Sequence, residues 1–372
     1  MQEISDLREE TIVEYQAKTE KPPCCLQILC NNKYILVGTY DLNKNTGFRN
    51  GSIDIYEYPG LTLLHKIPTY GAILDLKISS HGDRSIMITA HSTGNLMVWK
   101  INYDISSFNV TEMLTLQANY QVFHSDTLIT SCHFSPLEPQ LVLCTATNGK
   151  TKLLRIDKTP CESTTRIVQD EKITSINALS CDTLESQHSL ECWIGEFGKI
   201  SPLTNVVFTG GDDSKLIAHD LRMKNEIWSN EGRIHQAGVV SIKASSETFR
   251  VSAPTSLITG SYDDHIRGFD LRMLGKDQIY PGKMPVLNMF EKGLHGGVWR
   301  LCESPKDMNR LLVCCMYNGA KIVEVESDKK TFEEMQYVKK GHDSMCYGGD
   351  WSSEFIATCS FYDNSLQVWH TL

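Results

Sequence analysis

The chain has 372 residues, 41% of them hydrophobic and 22% charged, with a formal net charge of −9. No apolar run reaches the ~18 residues of a membrane span, and the acidic balance argues against nucleic acid as a partner, because phosphate binding needs a cationic face. The opening Met1-Gln-Glu-Ile-Ser-Asp-Leu-Arg-Glu-Glu10 has no apolar signal core, and the 13 cysteines are odd in number with no C-x-x-C pair, which predicts a reducing, cytoplasmic setting with thiols used as small core hydrophobes.

In chain order, Thr11-Ile-Val-Glu-Tyr15 reads as a short strand. Seven strand–turn–strand units follow, near 34–58, 84–100, 140–157, 205–222, 256–272, 311–325 and 355–370. The first is interrupted by a loop-like insertion at 41–51. Between the units lie inner-strand candidates: Ile73–Ile78, Val239–Ile242, Val298–Leu301 and Tyr347–Trp351. The segment 158–187 is longer and more polar than an ordinary connection and is predicted to form an outer strand plus a loop.

The units are copies of one another. Thr209-Gly-Gly-Asp-Asp-Ser-Lys-Leu-Ile-Ala-His-Asp-Leu-Arg222 aligns without a gap with Thr259-Gly-Ser-Tyr-Asp-Asp-His-Ile-Arg-Gly-Phe-Asp-Leu-Arg272. Cys359-Ser-Phe-Tyr-Asp-Asn-Ser-Leu-Gln-Val-Trp-His370 is a third copy and Ala90-His-Ser-Thr-Gly-Asn-Leu-Met-Val-Trp99 a degenerate fourth. This resembles the WD repeat and predicts an all-β, seven-bladed WD-repeat β-propeller forming one domain over 1–372. The last unit stops after its third strand, which would expose a sheet edge; the 11–15 strand is expected to cover it and close the ring.

Several segments go beyond a generic repeat: Val37-Gly-Thr-Tyr-Asp-Leu42, His188-Ser-Leu-Glu-Cys-Trp-Ile-Gly-Glu-Phe197, Gly296-Gly-Val-Trp-Arg300, Tyr347-Gly-Gly-Asp-Trp351 and Cys359-Ser-Phe-Tyr-Asp363. With the two Thr-Gly copies, and in this order, they resemble the diphthine methylesterase family, also called diphthine methyltransferase, from about residue 25 onward. The resemblance implies hydrolysis of the methyl ester of methylated diphthine, a modified histidine on translation elongation factor 2. That protein substrate would be the partner, and the enzyme is expected to act as a monomer without a cofactor.

The implied substrate carries a trimethylammonium group, which aromatic faces hold well. Tyr40, Tyr262 and Tyr362 each precede an Asp in the turn after the second strand, and Tyr317 precedes Asn318. With Asp212 at the matching place in its own blade, they are expected to form a cage at one mouth of the channel. Trp299 and Tyr347, from the family-like motifs, are further substrate-binding candidates. Tyrosine also suits a half-buried turn edge for packing reasons alone.

Ester hydrolysis needs a base, with or without a nucleophile, and oxyanion donors. Ala90-His-Ser-Thr-Gly94 only approximates a G-x-S-x-G elbow and sits in a hairpin turn. The catalytic candidates are His188 with Glu191, leading into the fourth blade beside Trp193, and His342 with Ser344, leading into the seventh. Arg300 could contact a carboxylate or oxyanion, or form a core salt bridge. The histidines have an alternative role, since WD repeats place a His before the inner strand to bond the blade's own Asp and Ser. Asp213, Asp263 and Asp363 are assigned to turns, and Trp99, Trp351 and Trp369 to blade packing. Cys132 and His133 alternate across a strand, so no metal site is expected. A non-catalytic scaffold or a methylated-residue reader would use the same fold.

Overall fold

The computed structural model describes residues 11–29, 32–81, 84–102, 109–156, 164–169, 172–177, 181–230, 234–272, 290–326 and 330–371. Seven sheets, antiparallel apart from one added pairing in the second, form the blades of a β-propeller. Their innermost strands are, in order, Pro23–Ile28, Ile73–His81, Ile129–Phe134, Cys192–Phe197, Val239–Ala244, Val298–Glu303 and Cys346–Trp351. All seven repeat hairpins lie where the sequence puts them. Blade five, for example, continues through Ser256–Ser261 and His265–Asp270 to Phe290–Gly293. Among the described residues no helix is long and apolar enough to cross a membrane.

The apolar faces of adjacent blades bury each other, which is why the ring holds together. Phe208 and Trp228 of blade four pack with Val239, Leu257 and Phe269 of blade five. Leu26, Ile35 and Val37 of blade one pack with Phe355, Ala357 and Val368 of blade seven. The ring closes as the sequence requires: Val13–Lys18 forms the outer strand of blade seven, antiparallel to Ser365–Trp369. Its bounds fall slightly later than the apolar run at 11–15.

Two insertions differ from expectation. Within 41–51, Asp41–Leu42 pairs with Asn50 and Arg49, so the insertion is a hairpin extension and not only a loop. Within 158–187, Cys181–Thr183 is the outer strand of blade three, and Thr164–Gln169 with Lys172–Asn177 forms an added hairpin. That hairpin adjoins the outer strand of blade two through Tyr120 and Asn177. Its runs are rich in β-branched residues, which favour strand pairing.

One irregularity recurs in every blade. The register of the innermost strand shifts by one residue near its start, a β-bulge, at Cys24, Leu74, Thr130, Trp193, Val240, Trp299 and Tyr347. A bulge re-aims the extra side chain. The matching turns are locked by a repeated backbone bond in which Tyr40, Ser92, Thr147, Asp212, Tyr262, Met316 and Phe361 donate to the residue ahead of the inner strand.

Candidate functional site

Three of the bulge residues, on blades four, six and seven, are large aromatics, and they meet across the mouth. Trp299 lies 5.8 Å from Trp193, 5.8 Å from Tyr262 and 4.8 Å from Tyr347 between ring centroids. The chain of rings continues from Tyr347 to Phe361 at 5.2 Å, then to Tyr362 at 4.9 Å and Tyr40 at 5.9 Å. Aromatic side chains from blades four, five, six, seven and one thus line one mouth of the channel.

Of the four tyrosines of the predicted cage, Tyr40, Tyr262 and Tyr362 join these rings, Tyr317 follows the repeated position of blade six, and they are not equivalent. Tyr40 and Tyr262 occupy the repeated backbone-bonded position; in blades six and seven that position belongs to Met316 and Phe361, and Tyr317 and Tyr362 come one residue later. The offset changes their exposure: Tyr262 is half-buried, whereas Tyr317 and Tyr362 are 61% and 71% exposed. Tyr40 accepts a hydrogen bond from Arg49 Nε at 2.6 Å, tying the insertion hairpin to the rim.

Burial and neighbouring charges perturb the phenols of this site. Burial raises the pKa of the Tyr262 phenol, Asp212, Tyr317 and Glu191 add to the effect, and Arg300 opposes it. Tyr347 is raised by burial first, then by Cys24, Tyr262, Tyr362 and Tyr317 around it. Asp212 accepts a hydrogen bond from Trp193 Nε1 at 3.2 Å, which fixes both side chains. Gly238 sits against them; a Cβ there would lie 2.7 Å from Asp212 Oδ1 and 3.0 Å from Tyr262 Cδ2.

Trp299 is only 8% exposed, so it holds the other rings in place more than it offers a free face. The Arg300 guanidinium stacks on it, 5.1 Å from the centroid, and donates to the Trp299 carbonyl at 3.3 Å. Burial disfavours charge on Arg300, but Asp75 and nearby thiols outweigh it and keep the side chain cationic. Below the rings the channel encloses a cavity of about 600 Å³ lined by Asp75, Lys77, His133, Glu196, Lys243 and Arg300, among others. Lys77 pairs with Asp75 at 2.6 Å and Lys243 with Glu303 at 3.0 Å. Among the described residues Arg300 makes no salt bridge, so the expected alternative of a core ion pair is not what holds it.

The two candidate histidines lie inside their blades and not at the mouth. His188 bonds Asp213 Oδ1 through Nδ1 at 2.8 Å and Thr209 through Nε2 at 3.0 Å. Burial works against its charge, but Cys192 and Asp213 outweigh that and raise its pKa. His342 is fully buried, bonds Thr358 at 2.7 Å, and is held neutral by burial with a pKa lowered to about 4. His235 makes the same bond to Thr259 at 2.8 Å in blade five. The recurring partner is Thr and not the expected Ser. Trp99 and Trp369 donate to the matching Thr89 and Thr358 at 3.0 and 3.1 Å, while Trp351 lines the cavity. Asp213, Asp263 and Asp363 accept backbone N–H bonds from Ser189, Gln236 and Asp343, as turn residues do. Ser344 accepts from the Tyr362 N–H at 3.1 Å, and Glu191 precedes the Trp193 bulge beside Asp212. Sequence reasoning missed Phe361 and the ring role of Trp193. An alignment of Cys192-Trp193, Val298-Trp299 and Cys346-Tyr347 at the starts of the inner strands carries that signal.

No protein-family model matches the chain. Among solved structures, a chain in the crystal structure of the mitotic checkpoint complex superposes with a TM-score of 0.67 at 12% identity, covering 100% of this chain and 95% of that one. At that identity it shows the propeller fold alone. Curated relatives say more. Diphthine methyltransferase of Schizosaccharomyces pombe is 28% identical over 91% of both chains, and that of Homo sapiens 35% identical over 44% of this chain and 33% of its own. Diphthine methyltransferase of Saccharomyces cerevisiae is 50% identical over 98% of this chain and 99% of its own. At that identity over nearly all of both chains, the chain belongs to the diphthine methyltransferase family.

Proposed function

We propose that the protein hydrolyses the methyl ester of methylated diphthine on translation elongation factor 2, releasing methanol and leaving diphthine as the free acid. The observation that carries this reading is the pairing of an aromatic, acid-flanked mouth with a charged arginine at its base. Trp193, Tyr262 and Tyr347 offer faces to the trimethylammonium group and Asp212 adds a negative charge beside them. Arg300, which makes no salt bridge among the described residues, would face the ester carbonyl in this reading and stabilise the oxyanion. The family name borne by the relatives agrees with a diphthine substrate.

In this mechanism Glu191 takes a proton from water as the water oxygen bonds to the ester carbon. The carbon–methoxy bond then breaks and the departing methoxide takes that proton as methanol. The acid so formed gives its remaining proton to solvent, and the product carboxylate stays opposite Arg300. His188 and His342 act as positioning residues that lock the turns carrying Asp212, Phe361 and Tyr362, and Ser344 holds the Tyr362 backbone. We place the reaction in the cytoplasm on a monomeric enzyme.

The test is methanol release from methylated elongation factor 2, with loss of the ester methyl followed by mass spectrometry. Binding without release would sink the hydrolase reading and leave the protein a reader of methylated residues or a scaffold.

A further inference from the structure

The mouth has two tiers, and the outer one has no task in the mechanism above. The inner tier is packed: Trp193, Tyr262, Trp299 and Tyr347 are buried or half-buried and touch one another. The outer tier is Tyr317 and Tyr362, on adjacent blades, displaced outward by the one-residue offset and largely exposed. Their backbones are nonetheless fixed. Lys339 Nζ donates to the Tyr317 carbonyl at 2.7 Å, and the Tyr362 N–H donates to Ser344. Tyr362 also packs edge-on against Phe361, so it stands as a wall of the cup. Phe361, on which Tyr362 packs, lies in turn 5.2 Å from Tyr347, so Tyr362 borders the inner rings.

Large rings held on fixed backbone above a cation pocket are placed to meet whatever carries the cation. In the proposed substrate that carrier is a histidine side chain. With the ammonium group on the inner rings, the imidazole leaves the cup at the height of the outer pair. We infer that Tyr317 and Tyr362 stack on the imidazole of the modified histidine, so that the site reads an aromatic heterocycle joined to a quaternary ammonium and not the ammonium ester alone. Aromatic pairs of this kind favour offset or edge-to-face contact.

This rests on the esterase reading, and the test separates the two. Two short peptides are compared: one with the methylated diphthine side chain on histidine, the other with the same trimethylammonio methyl ester on an aliphatic arm of equal length. kcat/KM is measured for the wild type, Tyr317→Leu, Tyr362→Leu and the double variant; where the aliphatic peptide is not turned over, its Ki as a competitor replaces it. Exposure of both rings keeps the variants folded, which circular dichroism and melting verify.

The double variant is expected to lose about tenfold more on the histidyl peptide than on the aliphatic one, equivalent to about 1.4 kcal/mol. Equal losses on the two peptides, or no loss on either, overturn the inference while leaving the esterase intact. A wild type that releases methanol from neither the histidyl peptide nor the methylated factor overturns the esterase reading and this inference with it.

Discussion

Replacing Tyr262 with Leu removes one of the cation-facing rings while leaving the turn and Asp212 in place. Tyr262 sits 6.3 Å from Trp193 and 5.8 Å from Trp299, and its ring closes the side of the cup next to Asp212. A single cation–π contact contributes about 0.5–2 kcal/mol, which converts to a factor of about 2 to 30 in affinity. The ammonium group does not change during ester cleavage, so the loss is uniform binding: KM rises by that factor and kcat stays within about twofold. Tyr262→Phe keeps the ring face and is expected to keep KM. The assay is initial-rate methanol release from methylated elongation factor 2 over a range of substrate concentrations, with melting curves to verify folding. An unchanged KM for Tyr262→Leu, or a Tyr262→Phe as impaired as the Leu variant, would refute the cage. So would an equal loss against a tert-butyl isostere of the substrate, because a carbon cap has no charge for the ring face to bind.

Arg300→Gln is expected to lower kcat about a hundredfold, the typical effect of losing one oxyanion donor, with KM little altered; a drop below twofold would remove Arg300 from the chemistry. Thr358→Val deletes the hydroxyl shared by Trp369 and His342, stranding two buried groups, and should destabilise the fold by about 2–4 kcal/mol in urea denaturation. Burial holds His91, His133 and His342 near pKa 4 and His219 and His235 near 3. The unfolded chain therefore binds protons below about pH 6.5 that the native ring refuses, and stability is lost as pH falls from there toward 4, each such histidine adding up to about 1.4 kcal/mol per pH unit. A melting temperature that is flat across that window would contradict the neutral assignment.

The fold was legible because each blade announces itself. Thr209-Gly210 and Thr259-Gly260 followed by Asp213 and Asp263 repeat at a spacing that only stacked hairpins satisfy. The equivalence of Tyr40 and Tyr262 at the repeated turn position was legible for the same reason. What was hidden is the effect of single-residue offsets. A bulge at Trp193, Trp299 and Tyr347 breaks the two-residue alternation by which facing is read from sequence, so these rings turn to the mouth instead of following the strand count. The longer turn of blade seven likewise puts Phe361 where Tyr262 sits. His188 and His342 drew attention as lone histidines near polar residues, yet His235 with Thr259 shows the same pair serving the framework. The added hairpin at 164–177 could be read as strands, but its attachment to blade two is a tertiary contact that no local pattern encodes.

The closing strand has a consequence for how the molecule is made. Gln16 Nε2 donates to Ser365 Oγ at 3.0 Å across 349 residues of chain. During translation, Val13–Lys18 emerges long before its partner and must wait, unmatched, until Ser365–Trp369 leaves the ribosome. Such a distant pairing is entropically late, so six blades can stand while the ring still gapes. Nascent chains halted before that point would present a bare, sticky margin on blade seven, a natural target for chaperones and for quality-control proteolysis.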